Sequence, residues 1–364
     1  MSRKVQSWIG IASILLAVCC AAWRGDADAE TIVQPIIDRP GECTYCDVVA
    51  EAFAGAESTI DLLLSNAEME ANPLIEPLLA AHQRGVAVRV LLDESDWSAS
   101  ITSKNRPTLE TLKRAGIDAR FDNPAVTTHA KLAMIDGETT LLGSSNWNRY
   151  AFTDQEQANI RIVDRRVASA FGEWFDALWD GQDGIQFQLP DLPPSTTPQI
   201  VALPDGDGVA TYASAAITLL DRARSSVHIA LYRMSHYVGY GDSAANGLID
   251  AVVRAARRGL DVRVLMDDCS FYRDSAEANL ETAIYLSQVG IPVRFDEPEE
   301  TMHAKLVVID GCHTVLGSTN WNYYALAHNN EASVALVSMP EVAAVFEQFF
   351  ESLWAEGRTL LDSG

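Results

Sequence analysis

The sequence predicts an α/β protein built from two copies of one unit. Two observations carry this reading: blocks of sequence recur at a fixed spacing, and within each copy strand-like and helix-like segments alternate. Arg89-Val90-Leu91-Leu92-Asp93 returns as Arg263-Val264-Leu265-Met266-Asp267, and Arg120-Phe121-Asp122 as Arg294-Phe295-Asp296. His129-Ala130-Lys131-Leu132 returns as His303-Ala304-Lys305-Leu306, and Asn146-Trp147-Asn148 as Asn320-Trp321-Asn322. Each pair is 174 residues apart (129 to 303, for example). Near the end of each copy a one-residue slip enters, with Phe175 and Trp179 matching Phe350 and Trp354.

The segments follow in order. Residues 1–29 read as a signal peptide: Arg3 and Lys4, an apolar run from Trp8 to Trp23, then Ala27-Asp28-Ala29 as a small-x-small cleavage site. An uncleaved anchor is the alternative, and Cys19 after Val18 is a weak lipidation site. Export is therefore the expected destination. Residues 30–47 are taken as a lead-in, 48–183 as the first repeat, 184–208 as a Pro-rich linker and 209–364 as the second repeat. The linker is expected to be extended, since Leu189 to Pro198 carries four prolines.

Within the first repeat Ile60 to Leu64 reads as a buried strand, and Pro73 to Gln83 as a helix ending near Gly85. Val86 to Leu92 is a strand. Leu109 to Arg114 is a short helix stopped by Gly116. His129 to Ile135 and Thr139 to Leu142 form a hairpin turning at Asp136-Gly137. Val167 to Leu178 closes the unit as an amphipathic helix.

Composition limits the function classes. Apolar residues make up 48% and charged residues 21%, an ordinary globular balance. The net charge of -23 disfavours nucleic acid as a partner, because phosphate backbones are held mainly through Lys and Arg. Removing the leader leaves Cys43, Cys46, Cys269 and Cys312. In an exported chain these fit one or two disulfides, with a local Cys43–Cys46 bridge preferred over half a zinc site.

The chemistry sits in the hairpin. Strand side chains alternate, so His129 and Lys131 share a face while Asp136 has the opposite parity and supports the turn. Folding about Gly137 puts Lys131 opposite Gly143 or Ser144, and His129 opposite Ser145 or Asn146. His303, Lys305 and Asn320 converge in the same way about Gly311, with Asp310 in support. The small residues Gly143, Ser144, Gly317 and Ser318 are expected to leave room for substrate. One such patch offers an imidazole, a cation and an amide, a set suited to an anionic phosphate. Two patches face to face offer two imidazoles, one to attack phosphorus and one to protonate the leaving oxygen. The candidates are therefore His129, His303, Lys131 and Lys305 for catalysis, with the two lysines, Asn146 and Asn320 on the phosphate.

The doubled string His-x-Lys-x4-Asp-x6-Gly-Ser-x-Asn-Trp resembles the paired motifs of the phospholipase D superfamily, across nearly all of the chain beyond the leader. The resemblance implies a mixed β-sheet flanked by helices in each half, packed about a pseudo-twofold axis with one active site at the interface. It also implies a two-step phosphohistidine mechanism with no metal and no cofactor. By the same analogy His129 attacks and His303 is the acid. The family's downstream glutamate, which steadies the catalytic His, falls on Glu156 and Glu331. The superfamily holds lipases, lipid synthases such as cardiolipin synthase, nucleases and some non-enzymes. The expected member is a monomeric phospholipid hydrolase, its motifs fused in one chain, acting on a phospholipid or other phosphodiester at a membrane surface. The intact duplicate motifs count against a non-catalytic binding protein. Trp147 and Trp321 are expected in the core, His236 at a pocket rim, and His82, His228 and His313 in structural or surface roles; His328, close to Glu331, is undecided.

Overall fold

The computed structural model describes residues 31–360 except 97, 188, 190, 191, 193–196, 242, 270 and 299. The leader and much of the Pro-rich stretch lie outside the described residues. The first half runs β1 (Ile32–Asp38), α1 (Thr44–Gly55), β2 (Thr59–Leu64), α2 (Ile75–Gln83), β3 (Ala87–Leu92), α3 (Ala99–Arg114), β4 (Asp118–Phe121), β5 (Lys131–Ile135), β6 (Thr139–Gly143), α4 (Arg149–Thr153), β7 (Gln155–Val163) and α5 (Arg165–Trp179). The second runs β8 (Gln199–Asp205), α6 (Thr211–Arg222), β9 (Ser226–Leu231), α7 (Ala244–Arg257), β10 (Asp261–Met266), α8 (Arg273–Gln288), β11 (Val293–Phe295), β12 (Thr301–Met302), β13 (Lys305–Ile309), β14 (His313–Gly317), α9 (Tyr323–Ala327), β15 (Glu331–Val337), α10 (Pro340–Glu356) and β16 (Arg358–Thr359).

Each half forms a mixed sheet. The first is ordered β1-β7-β6-β5-β2-β3-β4 and the second β16-β11-β10-β9-β13-β14-β15-β8. Strands β2, β3 and β4 run parallel, whereas β5, β6, β7 and β1 join antiparallel. The parallel strands are nearly continuous apolar runs because helices cover both faces. On the outer faces α1 and α2 pack through Val49, Phe53 and Leu78, and α6 and α7 through Tyr212, Leu220 and Leu248.

The inner faces meet. Leu132, Leu142, Phe171 and Phe175 of the first half share one buried cluster with Leu306, Leu316, Phe346 and Phe350 of the second. Burying a side chain of this size contributes about 1.5–3 kcal/mol. The two repeats thus share a core, which fixes their relative placement.

Backbone pairing crosses the same interface. Strand β12, just before His303, runs parallel to the start of β7, with Met302 beside Glu156. In the mirror-related place Thr128, just before His129, bridges to Asn330. Each histidine is therefore held by the opposite repeat.

Several boundaries move. The lead-in is not separate: β1 pairs along the whole of β7, and α1 packs beneath it. The linker likewise contributes β8, which pairs with β15. The short helix over Leu109 to Arg114 is the last third of α3, which continues through Pro107. Its buried Asn105 explains the extension, bonding Ala67 N at 2.8 Å, Ser65 O at 2.8 Å and Asp93 O at 2.9 Å. Cys43 is joined to Cys46, while Cys269 and Cys312 are free thiols. No helix among the described residues is long and apolar enough to cross a membrane.

Candidate active site

The β5–β6 ladder pairs Leu132 with Leu142 and closes on Ile135–Thr139, so Gly137 is its pivot. The β13–β14 ladder repeats this, pairing Leu306 with Leu316. At the turns Asp136 and Asp310 adopt positive φ, 54° and 55°. Asp136 accepts backbone N–H groups from Glu57, Ser58 and Thr59 at 2.7–2.9 Å. Asp310 takes those of Arg224, Ser225 and Ser226 at 2.7–3.1 Å. These bonds outweigh desolvation and hold both carboxyls below their ordinary range. Both aspartates lie at the turn end of their hairpins, and the histidines at the open end.

At the open ends the two motifs come together. His129 Nδ1 lies 3.0 Å from both carboxylate oxygens of Glu331. Ser318 Oγ donates to Glu331 at 2.5 Å, and Asn329 Nδ2 reaches it at 3.2 Å. His303 Nδ1 faces the Ser144 carbonyl at 3.0 Å and Gln157 Oε1 at 3.3 Å. Ser144 Oγ in turn donates to Gln157 at 2.6 Å. All these partners are acceptors, so Nδ1 carries the proton in both rings and Nε2 is left for chemistry.

The lysines are fully buried. Lys131 Nζ donates to the His129 carbonyl, and Lys305 Nζ to that of His303 at 2.5 Å. Lys305 also lies 4.8 Å from the centre of the Tyr232 ring, which packs 4.9 Å from the His303 ring. Burial pushes Lys131 down to about 7, against the pull of Glu331 and Asp93. Burial, then the neighbouring Lys131, holds Lys305 well below its ordinary range. Burial also lowers both histidines, most strongly His303, which has two lysines and His129 close by and no carboxylate of its own. The cluster is thus a desolvated site that resists positive charge. An anionic phosphodiester supplies the missing counter-charge and draws protons in with it.

Asn146 and Asn320 leave a side-chain oxygen buried without a partner. Buried polar atoms of this kind ordinarily find one. They follow Ser145 and Thr319, which continue the hairpin registers opposite His129 and His303.

Two expectations need correcting. Glu156 does not steady a histidine: it lies on the other face of β7, 3.5 Å from Arg39, and only its backbone carbonyl serves the site, taking the His303 N–H at 2.9 Å. Burial pushes its carboxyl up to about 7. The residue that matches Glu331 in space is Gln157, at the strict 174-residue offset. The small residues do not make room for substrate either. A Cβ on Gly143 would meet Asn159 Cα at 2.5 Å, and one on Gly317 would meet Ser333 Cα at 2.4 Å. These glycines let β6 and β14 approach their neighbours, and Ser144 and Ser318 are spent on Gln157 and Glu331.

Other residues were not anticipated. Asp93 accepts the Thr128 N–H at 2.7 Å, and Asp267 and Asp296 both accept that of Met302, at 2.8 and 2.9 Å. These carboxyls fix the backbone just before each histidine. Burial raises all three; Asp267 pushes Asp296 up further, while the hydrogen bond from Asp296 works against the rise at Asp267. Trp147 and Trp321 are core residues, donating to Tyr45 and Tyr212 hydroxyls at 3.2 and 2.8 Å. His236 stacks on Tyr285 at the wall of a hollow. His82 lies 3.4 Å from the Val86 carbonyl, His228 bonds Glu347, and His313 accepts the Ser338 N–H. His328 bonds Asp207 and Tyr323 rather than Glu331.

Known proteins resemble this chain along both repeats. A family model described as "Cardiolipin synthase, PLD-like domain" matches residues 49–179 and 216–354. A mitochondrial cardiolipin hydrolase of Xenopus laevis is 31% identical over 167 residues, covering 44% of this chain and 76% of the relative. A cardiolipin synthase A of Salmonella arizonae is 24% identical over 288 residues, covering 73% of this chain and 58% of the relative. The solved phosphatidylserine synthase of Haemophilus influenzae Rd KW20 shares the fold, with a TM-score of 0.69 at 12% identity, over 89% of this chain and 87% of that one.

Proposed function

The chain belongs to the phospholipase D superfamily, and from that premise we propose that it hydrolyses head-group phosphodiesters of phospholipids through a phosphohistidine. The observation that carries the reading is the pairing of two histidines with different partners, Glu331 for the half-buried His129 and Gln157 for the buried His303.

The carboxylate suits His129 to attack. As Nε2 bonds to phosphorus the ring gains positive charge, which Glu331 offsets from Nδ1. The bond from phosphorus to the leaving alcohol breaks, and doubly protonated His303 gives its Nε2 proton to the departing oxygen. Lys131 and Lys305 neutralise the phosphoryl oxygens, and Asn146 and Asn320 offer amide donors to them. Water then attacks phosphorus while neutral His303 takes its proton. The N–P bond breaks, phosphatidate leaves and His129 is restored. None of these steps calls on a metal or cofactor.

The cardiolipin-related relatives and the net charge of -23 support lipid over nucleic acid. An alcohol in place of water in the second step would make the same site a phosphatidyltransferase, a reading favoured by the synthase relative. The proposal extends to export: the leader pattern in 1–29 supports it, and the Cys43–Cys46 bridge suits an oxidising compartment. The test offers phosphatidylcholine, cardiolipin and single- and double-stranded DNA in parallel, with and without added glycerol, and identifies the products. Phosphatidate from lipid is expected. Cleavage of DNA alone would sink the lipid reading, and a glycerol adduct as main product would replace hydrolysis by transfer.

A further inference from the structure

Among the described residues ten large apolar side chains are exposed, and nine of them belong to the second repeat, Tyr150 being the exception. Val238 is 83% exposed, Tyr240 72%, Phe271 70% and Tyr324 68%. Exposed apolar residues usually occur singly, and a grouped set marks an interaction surface. Here six of the nine come from three segments that leave the same strand ends as the active site, and Leu280 and Ile284 lie along α8 with Val289 at its C-cap. Strand β9 ends at Leu231, paired with Lys305, and Tyr232 beyond it touches His303. Val238 and Tyr240 follow on that loop. Phe271 and Tyr272 follow β10. Tyr323 and Tyr324 follow Asn320 by three and four residues.

The first and third of these segments are tied together. The Tyr237 hydroxyl accepts the Tyr323 N–H at 3.0 Å, and Tyr237, Tyr240, Tyr323 and Tyr324 line one hollow of about 710 Å³. Val238 and Tyr240 also border a second hollow against Ile284 and Tyr285 of α8.

We infer that this aromatic edge of the second repeat docks the enzyme on the interface of a zwitterionic phospholipid bilayer. The inference rests on the proposed lipid substrate. Tyrosine has an apolar body and a polar tip, the chemistry that settles at the head-group level. The edge is continuous with the strand ends that carry the site, so docking brings lipid phosphates toward His129 and His303. Charge selects the kind of bilayer. Anionic membranes are held by clusters of Lys and Arg, yet the sole lysine of the second repeat is the buried Lys305. Arg273, beside the edge, is already paired with Glu277 at 2.8 Å. A chain of net charge -23 is repelled by an anionic surface.

The test uses the full chain with phosphatidylcholine vesicles, with vesicles rich in phosphatidylglycerol, and with a short-chain phosphatidylcholine below its micelle point. Hydrogen exchange locates the contact independently of the N-terminal segment. Slowed exchange in 237–241 and 322–325 is expected on phosphatidylcholine vesicles and not with the monomeric lipid. The triple variant Tyr240→Ser, Phe271→Ser, Tyr324→Ser should lose about tenfold or more in vesicle partition and in turnover of vesicular lipid. Its turnover of the monomeric lipid should stay within about twofold, since surface changes away from the site perturb little. Unchanged partition and turnover on vesicles, no exchange protection, stronger binding to the anionic vesicles, or a lipid-free dimer protecting the same segments would each overturn the docking surface. Wild-type protein that binds vesicles but cleaves neither form of the lipid would instead leave docking standing and remove the hydrolase reading.

Discussion

Replacing Glu331 by Gln removes one charge and almost no volume. Both carboxylate oxygens lie 3.0 Å from His129 Nδ1, so the bond is charge-assisted once the ring turns cationic on phosphorylation. Hydrogen bonds to charged groups contribute about 1.5–3 kcal/mol, against about 0.5–1.5 kcal/mol for neutral ones. Two unit charges some 4 Å apart add at most about 4 kcal/mol at an effective dielectric of 20. A net loss of about 2–3 kcal/mol in the transition state follows, a fall in kcat of about 30- to 150-fold. Gln157→Glu gives His303 a carboxylate it lacks and should leave kcat within about threefold, the neutral partner being already sufficient to orient the ring. The assay is steady-state turnover of a soluble phosphodiester, with an alkaline quench to trap the phosphoenzyme and peptide mapping to place it. The label is expected on His129. A Glu331→Gln enzyme within about threefold of wild type, or a label on His303, would refute the division of roles.

Three further outcomes follow from the site's electrostatics. In the free enzyme Lys131 loses its proton near pH 7, so kcat/KM should fall above about that pH, and it should fall on the acid side as His129 protonates; a flat profile from pH 6 to 9 would contradict this. Lys131→Met should abolish turnover yet raise Tm at pH 7. The folded-state pKa lies below the unfolded 10.5, so the burden is full below about 7 and vanishes as pH rises to about 10.5, and the Tm gap should close over that window. Asp136→Asn should cost about 1–2 kcal/mol by denaturant unfolding while keeping most of kcat, because its four bonds to Glu57, Ser58 and Thr59 lie at the turn end of the hairpin. Its lowered pKa makes its stabilisation present above the unfolded value and lost on acidification below it.

The hairpin chemistry was legible in the sequence because parity and a single pivot are local rules. Gly137 sets the register, and the register places His129, Lys131 and Asp136 without reference to the rest of the chain. The strands β1 and β8 were not legible: Val33-Gln34-Pro35-Ile36 has no clean alternation, and its pairing partner β7 lies over a hundred residues away. Strand β7 itself begins Gln155-Glu156-Gln157, and the polar Glu156 and Gln157 are buried where β12 of the other repeat pairs with the start of β7. The same polar triplet misled the choice of Glu156 for a role that chemistry suggested and position did not. The strict 174-residue spacing pointed to Gln157 all along. Exposure of Val238, Tyr240 and Tyr324 carries no sequence signal, since core and surface tyrosines look alike in one dimension.

The unequal partners of the two histidines bear on why the halves sit in one chain. A site assembled from two identical polypeptides must place the same residue on both sides of its axis. Such a pair can hold two glutamates or two glutamines, and each mutation strikes twice. Joining the copies frees each position to vary alone. Glu331 and Gln157 could then become a standing inequality between imidazoles that began alike. Covalent linkage in this protein is thus a licence for division of labour, whatever it adds to stability.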